Sequence, residues 1–306
     1  MGAEWASGTR IGRPVASRLG SDRIGVVRVG ELAGRTFLVT GANTGIGLAT
    51  ATDLARRGGR VYVACRSRPK GEAAAAGIAA ATDSEAVGFL PLDLADLASV
   101  RACARGFLDR GEPLHVLINN AGIGGTPGRT KDGFELVFGV NHLGHFALTM
   151  GLLDCLTASG ARIVNVASDA HYQARGIDFG RLRRRTRGIT GMQEYAISKL
   201  CNVLFSAELA RRMDGTGVTS YSLHPGVVAS DIWRRVPAPA RPLVKRGMLS
   251  IEQGARTSLF CATAPAADLV SGAYYDECAE RKPSPVATPE LGERLWDQSE
   301  AWIKPG

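Results

Sequence analysis

The run RTFLVTGANTGIGLATATDLARRG (residues 35–58) passes from an apolar, β-branched segment through three glycines into a segment with helical patterning. The glycines, Gly41, Gly45 and Gly47, have the spacing G-x-x-x-G-x-G. Glycine lets the chain turn tightly and lets backbone amides approach a pyrophosphate, whose charge the positive end of the following helix stabilises. The more common dinucleotide fingerprint has the spacing G-x-G-x-x-G. The run therefore predicts a strand, a phosphate-binding turn and a helix.

Apolar runs alternate with longer helical segments along the rest of the chain. Strands are predicted at 35–40, 60–65, 86–94, 114–120, 161–168, 218–225 and 271–277. Helices are predicted at 46–58, 69–82, 97–110, 132–157, 194–213, 251–264 and 288–303. Nearly continuous apolar strands separated by helices are typical of a parallel sheet covered on both faces. We therefore predict an α/β fold, a single doubly wound Rossmann domain with a sheet of about seven strands.

The composition is that of a folded protein with a basic surface. The 306 residues are 45% hydrophobic and 22% charged, and the net charge is +8. The one dense basic run is RLRRRTR (181–187), which we interpret as a solvated surface, with anionic lipid or an acidic partner as alternatives. No aromatic residues are interleaved with it, so we expect no nucleic-acid binding.

The first part of the chain differs from the rest. Glycine and proline interrupt residues 1–32 repeatedly, which predicts a poorly ordered N-terminal extension ahead of a folded domain at 33–306. Six cysteines are scattered without a C-x-x-C pair, which indicates a reducing compartment. No apolar run reaches the roughly 18–20 residues of a membrane span. We expect a cytoplasmic protein; peripheral membrane contact and organelle targeting through the basic extension are the alternatives.

The ends of the second, third and fourth predicted strands carry candidate cofactor contacts. Cys65 stands where a NAD site usually has an acidic residue, and Arg66 follows it. A guanidinium suits a 2′-phosphate, which favours NADP over NAD. Asp93 can accept a hydrogen bond from an adenine amino group, or it can cap the next helix. INNAG (118–122) places a polar pair and a glycine where open α/β sheets bind ligands.

Motifs spread over most of the chain resemble the short-chain dehydrogenase/reductase family. They follow the family's order: Thr40-Gly41-x3-Gly45-Ile46-Gly47, Asn119-Asn120-Ala121-Gly122, Asn141, Ser168, Tyr195-x3-Lys199 and Pro225-Gly226. Stretches such as GVNHLGHFALT (139–149), RIVNVASDAH (162–171) and ERLWDQSE (293–300) are similar to the retinol dehydrogenase-like branch, with retinol dehydrogenases 11–14 and member 13 of the dehydrogenase/reductase group. The resemblance covers about residues 33–303.

The resemblance implies an NADP(H)-dependent oxidoreductase that interconverts an aldehyde or ketone and its alcohol. Tyr195 would be the acid/base, and Lys199, one helical turn away, would bring the pKa of its phenol toward neutrality and bind the nicotinamide ribose. Ser168 would hydrogen-bond the substrate oxygen, and Asn141 would hold a water that links Lys199 to solvent. The implied cofactor contacts are Gly41, Asn43, Thr44, Gly45, Ile46, Gly47, Arg66, Asp93, Leu94, Asn120, Ala121, Gly122, Tyr195, Lys199, Pro225, Gly226, Val228 and Ser230.

Substrate and partners follow mainly from the same resemblance. The substrate is expected to be a small hydrophobic, retinoid-like carbonyl or alcohol; a steroid or other lipid carbonyl, and a non-catalytic NADP-binding sensor or scaffold, are the alternatives. Residues 228–250 are expected to form a mobile substrate lid, with an irregular connection or a membrane-surface patch as alternatives. The family also implies a homodimer that pairs through the helices of Asn141 and Tyr195. The five histidines lack metal-ligand spacing, so no metal site is predicted.

Overall fold

A computed structural model of the chain describes residues 30–186, 190–228 and 249–304. Three sequence predictions therefore fall largely or partly outside the described residues. They concern the N-terminal extension up to residue 29, the lid from 229 to 248, which includes Ser230, and the end of the arginine run at 187.

One sheet runs through the described part of the chain, with strand order β3-β2-β1-β4-β5-β6-β7-β8. The first seven strands pair in parallel, and β8 is antiparallel to β7. The strands are β1 (Thr36–Thr40), β2 (Arg60–Cys65), β3 (Val87–Pro91), β4 (Val116–Asn119), β5 (Arg162–Val166), β6 (Thr219–His224), β7 (Tyr274–Asp276) and β8 (Ala279–Arg281). The predicted doubly wound α/β fold is confirmed. The sequence did not indicate β8, because its three residues are all exposed and carry no apolar pattern.

Helices cover both faces of this sheet. They are α1 (Gly45–Arg56), α2 (Arg68–Thr82), α3 (Leu97–Leu108), α4 (Leu136–Phe138), α5 (Gly144–Gly151), α6 (Leu153–Ala158), α7 (Met192–Arg212), α8 (Ile251–Thr263) and α9 (Pro289–Ile303). The single helix predicted at 132–157 is divided, because a π-helical turn (Gly139–Leu143) separates α4 from α5 and Leu152 separates α5 from α6. Within the described ranges, no helix has the length and apolar character that crossing a membrane requires.

The alternation of side chains along the strands builds two cores. Phe37 and Val39 of β1 pack with α1, α2 and α8, whereas Leu38 packs on the other face with α3, α5 and α7. All three side chains are fully buried. The strand order reverses between β1 and β4, which opens a crevice at the carboxyl ends of these two strands.

Candidate active site

Nearly all of the predicted site residues lie at the carboxyl edge of the sheet, at the ends of β1 to β6, or on the helices beside it. The exception among the predicted residues is Ser230, which is outside the described part of the chain. Parallel strands all end at the same edge of a sheet, so segments far apart in sequence meet there. The structure places Gly41, Asn43 and Thr44 after β1; Gly45, Ile46 and Gly47 in the first turn of α1; Arg66 after β2; Asp93 and Leu94 after β3; Asn120, Ala121 and Gly122 after β4; Ser168 after β5; and Pro225, Gly226 and Val228 after β6.

The glycine turn after β1 is tightly packed against the loop after β4. Gly41 has a φ of +67° and donates its amide hydrogen bond to the Ala64 carbonyl at 2.7 Å. A Cβ atom on Gly47 would lie 2.4 Å from Asn120 Nδ2 and 2.7 Å from the Gly41 carbonyl oxygen. Asn120 Nδ2 in turn donates to the Thr40 carbonyl at 2.7 Å. The turn therefore needs glycine at 41 for its conformation and at 47 for space, and the start of α1 faces the crevice as a phosphate site requires.

Arg66, which follows β2, and Asp93, which follows β3, differ in their contacts within the protein. Asp93 accepts a hydrogen bond from the Ala95 amide at 3.0 Å, so one of its oxygens closes a local turn. The cap of α3 is Asp96, whose side chain accepts from the first amides of that helix. Arg66 is exposed. Within the described ranges it forms no ion pair, whereas Arg68 is paired with Glu72 at 2.9 Å.

Asn141 lies in the π-helical turn and is fully buried. Its side-chain oxygen accepts from the Ile123 amide at 2.8 Å, and its Nδ2 donates to the Ile123 carbonyl at 2.9 Å and to Ser198 Oγ at 3.0 Å. Ser198 itself donates to the Tyr195 carbonyl at 2.8 Å. The Asn141 side chain therefore joins the loop after β4 to the start of α7, and π-turns often occur at such functional positions.

Ser168 begins the segment that follows β5. Its hydroxyl donates to Asp169 Oδ1 at 3.0 Å and accepts from the Ala170 amide at 3.2 Å. Its carbonyl accepts from Nδ1 of the buried His171 at 2.6 Å, and Nε2 of that ring accepts from the Ser284 amide at 3.1 Å. The buried His171 ring therefore fixes the backbone of Ser168, whereas the neighbouring Asp169 is exposed.

Tyr195 and Lys199 occupy one face of α7, next to Ser168. Lys199 Nζ lies 5.5 Å from the centroid of the Tyr195 ring and donates to the Val166 carbonyl at 2.8 Å. Asn202 Nδ2 donates to the same carbonyl at 3.2 Å. A Cβ atom on Gly122 would lie 3.5 Å from Lys199 Nζ, so the loop after β4 passes directly beside the ammonium group.

Comparison with known proteins agrees with this geometry. A sequence model of the short chain dehydrogenase family matches residues 35–179. Human retinol dehydrogenase 12 is 47% identical over 278 residues, which is 88% of this chain and 86% of that protein. Human dehydrogenase/reductase SDR family member 13 is 45% identical over 288 residues, which is 91% of this chain and 76% of that protein. The chain belongs to the short-chain dehydrogenase/reductase family.

A solved structure supports the same assignment. The short chain dehydrogenase from Burkholderia cenocepacia J2315, solved in complex with NADP, is 26% identical, has a TM-score of 0.65, and covers 80% of this chain and 97% of its own. The predicted family and its retinol dehydrogenase-like branch are therefore confirmed. The chain is an oxidoreductase of this family, and its cofactor is a nicotinamide dinucleotide.

Burial dominates the protonation of the tyrosine and lysine in this short-chain dehydrogenase/reductase. Burial raises the pKa of Tyr195 to about 12, although the hydrogen bond with Ser168 lowers it; the charge of Asp169 raises it further. Burial also lowers the pKa of Lys199 to about 8. We expected the Lys199 ammonium to bring the pKa of the phenol toward neutrality, but in the protein alone burial raises that pKa instead.

The sequence alone did not identify several residues that contact the catalytic candidates. Ser198 connects Asn141 to α7, His171 supports Ser168, and Asp169 places a carboxylate beside the catalytic candidates. Ser198 and Asp169 are adjacent in sequence to motif residues, and that was the only signal for them. His171 gave no signal, because its partner Ser284 lies 113 residues away.

Proposed function

We propose that this oxidoreductase interconverts a hydrophobic carbonyl compound and its alcohol with NADP(H), and that Tyr195 transfers the proton. The observation that carries the proposal is the placement of Tyr195 between the Ser168 hydroxyl and the Lys199 ammonium, at the crevice beside the glycine turn. Gly45, at the start of α1, has no atom within 4 Å of the place of a Cβ, and the helix start behind it suits a pyrophosphate, so the residues present fit a dinucleotide.

Each residue has a defined part in this reaction. When bound, the nicotinamide supplies or accepts the hydride. Tyr195 donates its hydroxyl proton to the substrate oxygen during reduction and takes a proton from the alcohol during oxidation. The Ser168 hydroxyl donates to the substrate oxygen in place of Asp169 Oδ1, and Lys199 stabilises the phenolate that forms when the proton leaves. Gly41, Gly47 and the loop Asn120–Gly122 hold the dinucleotide.

The phenolic proton gives the most direct test of this function. In Tyr195→Phe the ring stays but the proton is lost, so we expect turnover to fall by at least about 100-fold while the affinity for NADPH is kept. Turnover would be measured with retinal, a steroid ketone and short-chain aldehydes, and affinity by NADPH fluorescence. A variant with wild-type turnover would refute the mechanism. Dinucleotide binding without turnover of any carbonyl by the wild type would favour the sensor or scaffold alternative.

Arg66 is the basis for proposing NADP rather than NAD. Its exposed guanidinium follows β2 next to Cys65, and within the described ranges it has no ion-pair partner. A hydrogen bond to a charged group is worth about 1.5–3 kcal/mol, or about 10- to 150-fold. We expect Arg66→Ala to lose that factor in kcat/KM for NADPH and to leave NADH unchanged.

Arg68→Ala is the matched control for that experiment, because Arg68 is already paired with Glu72 and lies over the Phe89 ring at 5.6 Å. It is expected to change neither cofactor's kcat/KM by more than about 3-fold. A wild-type preference for NADH, or an equal loss for both cofactors in Arg66→Ala, would refute the assignment.

The lid and the location stay predictions. The ends of the predicted lid lie together, since Val228 forms a parallel bridge with Leu249 and the Leu249 amide donates to the Val227 carbonyl at 2.9 Å. The two described ends of the predicted lid therefore lie side by side after β6. Cell fractionation with a high-salt wash tests the predicted cytoplasmic location, because salt releases a protein that is held at a membrane by charge.

Pairing through the two long helices is less well supported, because the chain's own α9 packs over them. The Trp296 ring lies 5.0 Å from Phe146 of α5 and 5.9 Å from Phe205 of α7, and Ser299 Oγ is 3.2 Å from His142 Nε2. We therefore propose that any dimer uses a different surface. Analytical ultracentrifugation of the full chain and of a Trp296→Ala variant tests this; a wild-type dimer that Trp296→Ala abolishes would contradict it.

A further inference from the structure

His145 is a buried histidine that the proposed mechanism does not use. It lies in α5, four residues after Asn141, and only 2% of its surface is exposed. Its Nδ1 is 3.0 Å from the Asn141 carbonyl oxygen, and its Nε2 is 2.8 Å from Thr40 Oγ1 at the end of β1. The ring therefore connects two segments that are 105 residues apart in the sequence.

The partners of His145 define its tautomer. A carbonyl oxygen can only accept, so Nδ1 carries the hydrogen and donates it to Asn141. Burial lowers the pKa of His145 to about 4, so the ring is neutral and Nε2 has a free lone pair. Nε2 accordingly accepts from the Thr40 hydroxyl; the Ile118 carbonyl, at 3.4 Å, is a more distant acceptor for the same proton.

The Thr40 hydroxyl also connects the His145 ring to the loop after β4. Its oxygen accepts from the backbone amides of Asn120 and Ala121, each at 2.9 Å. Hydrogen bonds therefore run in one direction, from the loop after β4 through Thr40 and His145 to the carbonyl of Asn141. Every member is buried or part-buried, and each bond depends on the orientation of its neighbour.

We infer that His145 is a positioning residue that ties the dinucleotide-binding loop after β4 to the helical turn of Asn141. The inference rests on the proposed function, because it assigns dinucleotide contacts to Asn120 and Ala121 and places Asn141 beside the proton-transfer residues. Through this link, the position of the loop that holds the cofactor and the position of the turn that supports α7 are set together.

Two substitutions separate the two bonds of the ring. In His145→Asn, Nδ2 occupies the place of Nδ1 and donates to the Asn141 carbonyl, but the side chain is too short to reach Thr40. In His145→Gln, the longer amide reaches Thr40 and accepts from its hydroxyl, but no donor remains beside the Asn141 carbonyl. Thr40→Val removes the hydroxyl at nearly constant shape, and Thr40→Ser restores it.

The experiment measures NADPH affinity, kcat and chemical unfolding for the wild type, the four single variants and the double variant Thr40→Val/His145→Asn. We expect His145→Asn and Thr40→Val each to weaken NADPH binding by about 5- to 100-fold, since a buried partner is left unsatisfied. The double variant is expected to bind no more weakly than Thr40→Val alone, because Thr40→Val already removes the bond to His145 together with the two bonds from the Asn120 and Ala121 amides. His145→Gln is expected to bind NADPH more tightly than His145→Asn does and to lose kcat instead. Thr40→Ser is expected to recover the affinity that Thr40→Val loses.

The outcomes are distinct from those that test the function itself. Additive losses in the double variant, or equal NADPH affinities in His145→Asn and His145→Gln, would overturn the positioning role while leaving Tyr195 chemistry intact. A loss of NADPH affinity that is proportional to the loss of unfolding free energy across the variants would also overturn the positioning role. A histidine with a purely structural role would give that result. A wild type that binds no nicotinamide dinucleotide overturns both the inference and the proposed function.

Discussion

Replacing the active-site lysine should make the protein more stable while it destroys the activity. Lys199 is 3% exposed, and its Nζ donates a hydrogen bond to the Val166 carbonyl at 2.8 Å. Burial lowers the pKa of its ammonium from 10.5 to about 8. In Lys199→Met a chain of similar length remains, but the charge that burial disfavours is gone. The folded state of this variant therefore no longer carries that penalty.

The size of the effect follows from the change in pKa. The lowering from 10.5 to about 8 is about 2.5 pH units, which at about 1.36 kcal/mol each destabilises the folded wild type by about 3 kcal/mol below pH 8. Loss of the hydrogen bond to Val166 costs about 1 kcal/mol, because Asn202 still donates to that carbonyl. The net gain in the free energy of unfolding for Lys199→Met is about 2 kcal/mol at neutral pH.

The pH dependence has a definite sign. Between the folded pKa of about 8 and the unfolded pKa of 10.5, the unfolded wild type binds more protons than the folded one. The free energy of unfolding of the wild type therefore rises with pH through this window. The advantage of Lys199→Met is complete below pH 8 and shrinks as the pH approaches 10.5.

Urea unfolding of the cofactor-free protein at about pH 7 and about pH 9.5 measures this difference. Turnover in the same samples is expected to fall by at least about 100-fold. Lys131→Met is the control: that side chain is exposed and pairs with Asp96, so its removal should destabilise by at most about 1 kcal/mol. A Lys199→Met variant that is less stable than the wild type at pH 7, or whose advantage does not shrink with pH, would refute the reasoning.

Three further predictions concern other parts of the molecule. Gly47→Ala places a Cβ 2.4 Å from Asn120 Nδ2, so we expect weaker NADPH binding in a fluorescence titration; unchanged affinity would contradict this. Trp296→Ala empties a site that is 4% exposed and should lower the free energy of unfolding by about 3–5 kcal/mol in urea; a loss below about 1 kcal/mol would show that α9 contributes little. Asp169→Asn removes a negative charge that raises the pKa of Tyr195, so the pH profile of alcohol oxidation should move to lower pH, and an unmoved profile would exclude that influence.

The sequence predicted most of the fold because the pattern is periodic and local. The strands β1, β2 and β4 are mostly apolar runs, and each of α1, α2, α3 and α7 begins and ends within two residues of its prediction. The π-helical turn at Gly139–Leu143 and the strand β8 could not be predicted in this way. A π-turn depends on how one helix packs against others. The strand β8 forms because it pairs with β7, and its own residues do not favour a strand.

The sequence could place candidate residues where an element boundary controls their position, and it could not describe their environment where distant segments control it. Ser168 follows the end of β5 and Tyr195 lies in α7, so their convergence at one sheet edge follows from the topology. The link between His145 and Thr40 spans 105 residues and depends on packing that no local motif reports. Whether Lys199 or burial controls the pKa of Tyr195 is likewise a property of the assembled core.

The protonation of Tyr195 and Lys199 in turn bears on the pH dependence of the reaction. With its pKa near 12, Tyr195 holds its proton throughout the neutral range, and this proton is the one that carbonyl reduction consumes. Lys199 titrates near pH 8, close enough to neutral pH to exchange a proton readily. In oxidation, the phenol must first lose a proton, and burial of Tyr195 disfavours the phenolate that results. The rate of alcohol oxidation is therefore expected to rise with pH as Tyr195 loses its proton.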